Sequence, residues 1–132
     1  MTAALERAPT YAHGYEVRGW MHEQEELWER AASDYARAIE LGSKSAQIAA
    51  DLGHLLDQHL GRPAEAEPAL RRAILLDPHH ALARFYLGEA LAAVGRADEA
   101  RANFQDFLAR ADASEPREAA RIDDAKRRLG YW

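Results

Sequence analysis

The sequence contains no cysteine and few residues of the types that build β-sheets. Its 132 residues include only 2 valines, 4 isoleucines and 2 threonines, against 29 alanines and 15 leucines. Alanine and leucine favour helices whereas β-branched residues favour strands, so this composition predicts an all-α protein. The lack of cysteine excludes disulfides, thiolate metal ligands and cysteine nucleophiles.

The sequence also lacks an excess of positive charge and any long apolar run. Its 17 basic and 22 acidic residues leave a net charge of −5, which argues against nucleic acid or an anionic membrane surface as the main partner. No apolar run approaches the length of a membrane span, and the first residues show no apolar core of a signal peptide. We therefore expect a cytoplasmic protein.

The chain repeats itself. Leu52 and Gly53 recur 35 residues later as Leu87 and Gly88, and a Gly-Arg turn and a Glu-Ala pair follow each copy. A degraded copy includes Gly19. Each copy has the apolar spacing of two helices joined by a tight turn.

The ends of these helices can be placed from capping residues. Ser43 is predicted to cap a helix that ends near His59, and Pro63 is predicted to lie in the first turn of the next helix. Ser114 is predicted to cap the last helix. Gly88 is expected at the closest helix crossing of its unit, opposite Ala100, because small residues let two helices approach.

These residues resemble the tetratricopeptide repeat, a helix–turn–helix unit of about 34 residues. The resemblance divides the chain into an N-terminal segment (1–11), a degenerate first unit (12–45), a second unit (46–80), a third unit (81–114), and a capping helix with an aromatic tail (115–132). It implies a right-handed α-solenoid, in which the first helix of each unit lines a concave groove.

The groove-facing positions of that family identify the candidate site residues. They are Glu16, Trp20, Asp51, His54, Leu82, Phe85, Tyr86 and Glu89. The large apolar members have the composition of an interface hot spot, and every charged member is acidic. The resemblance thus implies a non-catalytic adaptor or chaperone-like module that binds a basic, partly apolar peptide or helix of another protein. Alternatively, the capping helix or the N-terminal segment covers the aromatic side chains.

A second functional hypothesis is self-association. In it, the groove or the terminal pair Tyr131 and Trp132 packs against another copy to form a homo-oligomer. The carboxylate clamp of some family members is absent, because acidic or apolar residues such as Glu16 and Leu82 stand at its positions.

The sequence shows little that points to catalysis or to a metal. His22 begins a pattern like His-Glu-x-x-His, but its fifth position is Glu26, so the zinc-protease motif fails. We expect no enzymatic activity, no cofactor and no metal.

Overall fold

The computed structural model describes residues 11–130, which form seven helices and no strand, and this confirms the predicted all-α class. The helices are α1 (Tyr11–Gln24), α2 (Trp28–Glu40), α3 (Ala46–Gln58), α4 (Pro63–Leu76), α5 (Ala81–Ala93), α6 (Ala97–Arg110) and α7 (Pro116–Arg128). Helices α1 and α2, α3 and α4, and α5 and α6 pack as three hairpins, and α7 packs against α5 and α6. None of these seven helices is long and apolar enough to cross a membrane.

Two of the predicted helix caps are wrong by one or two residues. Ser45, not Ser43, caps α3, and its hydroxyl accepts a hydrogen bond from the backbone N–H of Ile48. Glu115, not Ser114, caps α7. The capping side chain must reach the N–H three residues further on, so the residue directly before the helix takes this role.

The turn inside each unit needs a residue in the left-handed backbone region. Gly61 and Gly95 supply it in the second and third units, with φ angles of 64° and 84°. The first unit uses Glu26 at φ 59°. A left-handed conformation costs a non-glycine residue about 1–2 kcal/mol, so the turn of the first unit is less favourable than its counterparts.

Each hairpin crosses at a glycine of its first helix, which lies against a large side chain of its second helix. The pairs are Gly19 with Tyr35, Gly53 with Leu70, and Gly88 with Phe104. The prediction that Gly88 lies opposite Ala100 is therefore wrong, because the atoms nearest to a side chain at residue 88 belong to Phe104. The glycines leave room for these side chains to fill the interior of the hairpin.

Helix α5 is the centre of the core. Helices α3, α4, α6 and α7 all contact it, and every residue from 81 to 91 except Arg84 is buried. Helix α1 lies at the other extreme, because it packs mainly against α2 and buries only Ala12, Tyr15 and Gly19. The concave face is therefore closed at the third unit and open at the first.

Candidate functional site on the concave face

The structure separates the eight candidate residues into two groups. Glu16, Trp20, Asp51 and His54 keep part of their surface exposed on α1 and α3, whereas Leu82, Phe85, Tyr86 and Glu89 are buried on α5. The expectation of an open aromatic face on the third unit is therefore not met. The capping helix α7 covers these aromatic side chains, as the alternative interpretation of the sequence anticipated.

Phe85 is a core residue. Its ring is fully buried and meets the rings of Phe104 and Phe107 edge to face, at centroid distances of 5.4 and 5.3 Å. The guanidinium of Arg121, from α7, lies 5.5 Å from the centre of the same ring. A phenylalanine enclosed by two rings of α6 and a cation of α7 cannot act as a binding anchor while α7 remains docked.

Glu89 is an acid buried under the capping helix. Its side chain is 7% exposed, and one carboxylate oxygen lies 3.4 Å from the guanidinium of Arg128. Its other oxygen has no hydrogen-bond partner among the described residues. Burial raises the pKa of Glu89 to about 7, while the charge of Arg128 opposes this shift.

Asp51 lies on the concave face of α3, within reach of one arginine of α7. The side-chain amide of Gln47 donates to its carboxylate at 2.7 Å, and the guanidinium of Arg117 lies 3.6 Å away. Burial, followed by the negative charge of Glu23 on α1, raises the pKa of Asp51 to about 6. The charge of Arg117 lowers the pKa of Asp51, but by less than burial and Glu23 raise it.

His54 belongs to a row of stacked rings along the concave face. It stacks on Tyr86 at 4.2 Å and meets His59 edge to face at 6.2 Å, and His59 in turn stacks on Trp28 at 3.8 Å. Burial, helped by the positive charge of Arg121, lowers the pKa of His54 to about 4, so its ring is neutral at pH 7. Trp28 and His59 were not predicted as site residues, because they lie beyond the first helices that the family pattern assigns to the groove.

Helix α1 carries the open part of the concave face. Val17, Trp20 and Met21 form an apolar cluster, called the α1 patch, whose members are 44%, 54% and 51% exposed. Two acids flank it. Glu16 accepts a hydrogen bond from the Ser43 hydroxyl at 2.5 Å, and Glu23 accepts one from the Tyr35 hydroxyl at 2.6 Å.

The wall of the concave face that α7 provides is basic, and this was not predicted from the sequence. Helix α7 turns Arg117, Arg121 and Arg128 toward α3 and α5, where they meet Asp51, the ring of Phe85 and Glu89 respectively. Their spacing of four and seven residues places them on one helical face, and this spacing was the available signal. The concave face therefore has an acidic wall on α1 and α3 and a basic wall on α7.

The remaining candidates from the sequence do not converge. No group of three or more His, Asp or Glu side chains within residues 11–130 is arranged to hold a metal ion. The terminal Tyr131 and Trp132 lie outside the part of the chain that the structure describes, as do the first ten residues.

Comparisons with known proteins agree with this architecture. The family model for the tetratricopeptide repeat (TPR) matches residues 55–116. The second TPR domain of Spaghetti (RPAP3), solved with the HSP90 peptide SRMEEVD, is 28% identical with a TM-score of 0.70, over 75% of this chain and 91% of that one. YrrB, a TPR protein described as having an unusual peptide-binding site, is 27% identical with a TM-score of 0.75, over 98% of this chain and 68% of that one.

A third solved structure shows the same fold at lower identity. PcrH, in complex with the chaperone binding region of PopD, is 23% identical with a TM-score of 0.78, over 90% of this chain and 88% of that one. No curated protein is significantly similar to the chain in sequence.

Proposed function

We propose that this chain, whose fold matches that of tetratricopeptide repeat solenoids, is a non-catalytic interaction module that binds a segment of another protein on its concave face. The observation that carries the proposal is the α1 patch. Three large apolar side chains on neighbouring turns of one helix are about half exposed, beside partly buried acids. Exposed apolar clusters with a polar rim are typical of docking surfaces.

The similar solved structures support a peptide or protein segment as the partner. The second TPR domain of Spaghetti binds a peptide, and YrrB has a peptide-binding site. Sequence identities of 28% and 27% support peptide binding as the mode of action, but they do not specify the ligand.

We propose further that the segment is basic and partly apolar. Glu16 and Glu23 lie on α1 with the α1 patch, and Asp51 lies on α3 near Glu23, so a cation beside an apolar anchor complements this wall. An acidic peptide end would meet negative charge at the same place. Trp20 is the proposed anchor, because a half-exposed tryptophan can bury a large area when a partner covers it.

The proposed binding surface therefore shifts toward the first two units. Glu16, Trp20, Asp51 and His54 remain accessible in part, and they form its working surface. Leu82, Phe85, Tyr86 and Glu89 are buried on α5 and are not part of this working surface.

The experiment is affinity capture with the full chain, followed by binding measurements on the partner it identifies. Trp20→Ala removes the anchor, and Leu75→Ala removes an equally apolar side chain from α4 that is 83% exposed and lies in a separate cleft with Arg71 and Asn103. We expect W20A to lose most of the binding and L75A to keep it. Full binding by a folded W20A variant would contradict the proposal. Light scattering over a concentration series tests the alternative of a homo-oligomer.

A further inference from the structure

One ion pair links the two walls of the concave face. Arg117 of α7 reaches across to Asp51 of α3 at 3.6 Å, and its guanidinium also lies 3.5 Å from the Tyr86 hydroxyl. The Arg117 side chain is 53% exposed, whereas that of Asp51 is only 17% exposed. A half-exposed cation therefore pairs with a carboxylate that is largely buried.

Helix α7 shows what kind of helix this concave face accepts. Arg121 lies over the ring of Phe85, and Arg128 lies over the ring of Phe104 and beside Glu89. Apolar residues next to these arginines pack into the core, namely Ile122 and Ala125 of α7 and Leu129, which directly follows the helix. A helix that combines arginines with apolar residues on one face thus satisfies an acidic and aromatic surface.

The uncovered first two units repeat this chemistry. At the positions equivalent to Phe85, Tyr86 and Glu89, the first unit has Glu16, Val17 and Trp20, and the second has Ala50, Asp51 and His54. Every unit thus offers one carboxylate and at least one aromatic ring or imidazole. Within residues 11–130, the third unit alone has a further helix, α7, packed against it with several contacts.

We propose that the partner is an arginine-bearing amphipathic helix, which docks on the α1 patch and places one of its own arginines on Asp51 in place of Arg117. Arg117 is then an internal competitor of the ligand. This inference rests on the proposed function and deepens it, because it names the chemistry of the partner and the contact that it must break.

The surroundings of Asp51 favour such an exchange. Its neighbours are Gln47 on its own helix, Glu23 on α1, and Arg117 on α7, and only the last is a cation. An arginine at hydrogen-bonding distance would stabilise the carboxylate more than Arg117 does at 3.6 Å. The exposed side chain of Arg117 also returns to water at little cost when it is displaced.

The competition predicts the sign of a mutational effect. The probe is a synthetic peptide of residues 114–130, which carries the arginine spacing of α7, added to the full chain. We expect Arg117→Gln in the full chain to tighten binding about threefold to fivefold, because it removes the competitor. Arg127→Gln is the matched control, since it removes the same charge from the same helix at a side chain that is 69% exposed and faces Asp124.

Two more variants locate the contact. Asp51→Asn should weaken binding and should also abolish the gain from Arg117→Gln, because both effects depend on one carboxylate. Trp20→Ala should remove binding of the probe. Retained binding in the W20A variant would mean that the peptide replaces α7 on α5, and would overturn the inference.

Other outcomes also decide against the inference. Weaker binding by R117Q would make Arg117 a ligand contact, and equal binding by R117Q and R127Q would mean that no competition exists. Failure of the probe to bind any variant would overturn the arginine-helix partner. None of these results affects the test of the proposed function, which depends on the captured natural partner and Trp20.

Discussion

The ring of Phe104 lies against the backbone of Gly88, so closely that a methyl group at residue 88 would come within 2.8 Å of the ring. Both residues are buried, and Phe104 also meets Phe85 edge to face. Helices α5 and α6 therefore approach each other at the one position where a side chain is missing. The core of the third unit depends on that contact.

Replacing Gly88 with leucine should destabilise the protein by about 3 kcal/mol, because overpacking displaces Phe104. Gly88→Ala should cost less, since the gain in helix propensity, about 1 kcal/mol, offsets part of the crowding. Chemical denaturation measures both. Ala93→Leu, on the exposed surface of the same helix, is the control and should change stability by no more than about 0.5 kcal/mol. An unchanged denaturation midpoint for G88L would contradict this account of the crossing.

Truncating Phe85 should destabilise the protein strongly, whereas truncating Trp20 should change its stability little. Phe85→Ala should lower the free energy of unfolding by about 3–5 kcal/mol, because it leaves a cavity among Phe104, Phe107 and Arg121. Trp20→Ala should change stability far less, because the side chain is 54% exposed. Thermal and chemical denaturation of the two variants provide the comparison. Equal losses of stability would mean that Trp20 is also part of the core.

Removing Arg18 should destabilise the first unit, because the buried carboxylate of Asp34 loses its main ion-pair partner. Arg18 donates two hydrogen bonds of 2.9 Å to the carboxylate of Asp34, whose side chain is 7% exposed. Arg18→Ala leaves that carboxylate with the imidazole of His22, 3.5 Å away, in place of a permanent cation, and should cost about 3 kcal/mol. The double variant with Asp34→Ala should recover part of the loss, and Arg30→Ala, exposed on α2, should be nearly neutral. A double variant less stable than R18A would show that the pair is not coupled in this way.

Glu89 should make stability depend on pH. Its pKa rises from an ordinary 4.5 to about 7 in the folded protein, so the folded state binds the proton more tightly than the unfolded state. This tighter proton binding stabilises the folded protein by about 3 kcal/mol below pH 4.5. The stabilisation is lost as the pH rises through 7.

The variant Glu89→Gln keeps the shape of the side chain and cannot ionise. Its stability relative to the native protein should therefore increase between pH 4.5 and pH 8, as measured by denaturation at a series of pH values. Glu65→Gln removes the same charge from an exposed position and should show no such trend. A difference between E89Q and the native protein that stays constant with pH would mean that Glu89 does not titrate in this range.

Local features of the chain were predictable where a short stretch of residues controls them. Pro63 begins α4 as expected, because a proline suits the first turn of a helix whatever lies around it. The caps of α3 and α7 were displaced by one or two residues, because Ser43 and Ser45, or Ser114 and Glu115, are equally plausible until the first helical residue is known. The partner of Gly88 was predicted to be Ala100 rather than Phe104, since side-chain direction at a crossing depends on the angle between two helices.

The site was less predictable than the fold. Trp20 and Phe85 both occupy groove-facing positions of the repeat, yet one is half exposed and the other fully buried. Periodicity assigns a residue to a face of its helix, but it does not state what lies over that face. For Phe85, a helix that begins more than thirty residues later supplies the cover.

The sequence by itself determined the helical class, the repeat and the helix-turn-helix units, because these follow from helix propensity, apolar spacing and the glycines within one unit. Only the tertiary structure decided which groove positions are open. Docking of α7 places Arg117, Arg121 and Arg128 on the concave face, buries Phe85 and Glu89, and leaves the α1 patch exposed. That outcome depends on contacts between distant segments, whose free energy of packing and desolvation no local pattern encodes.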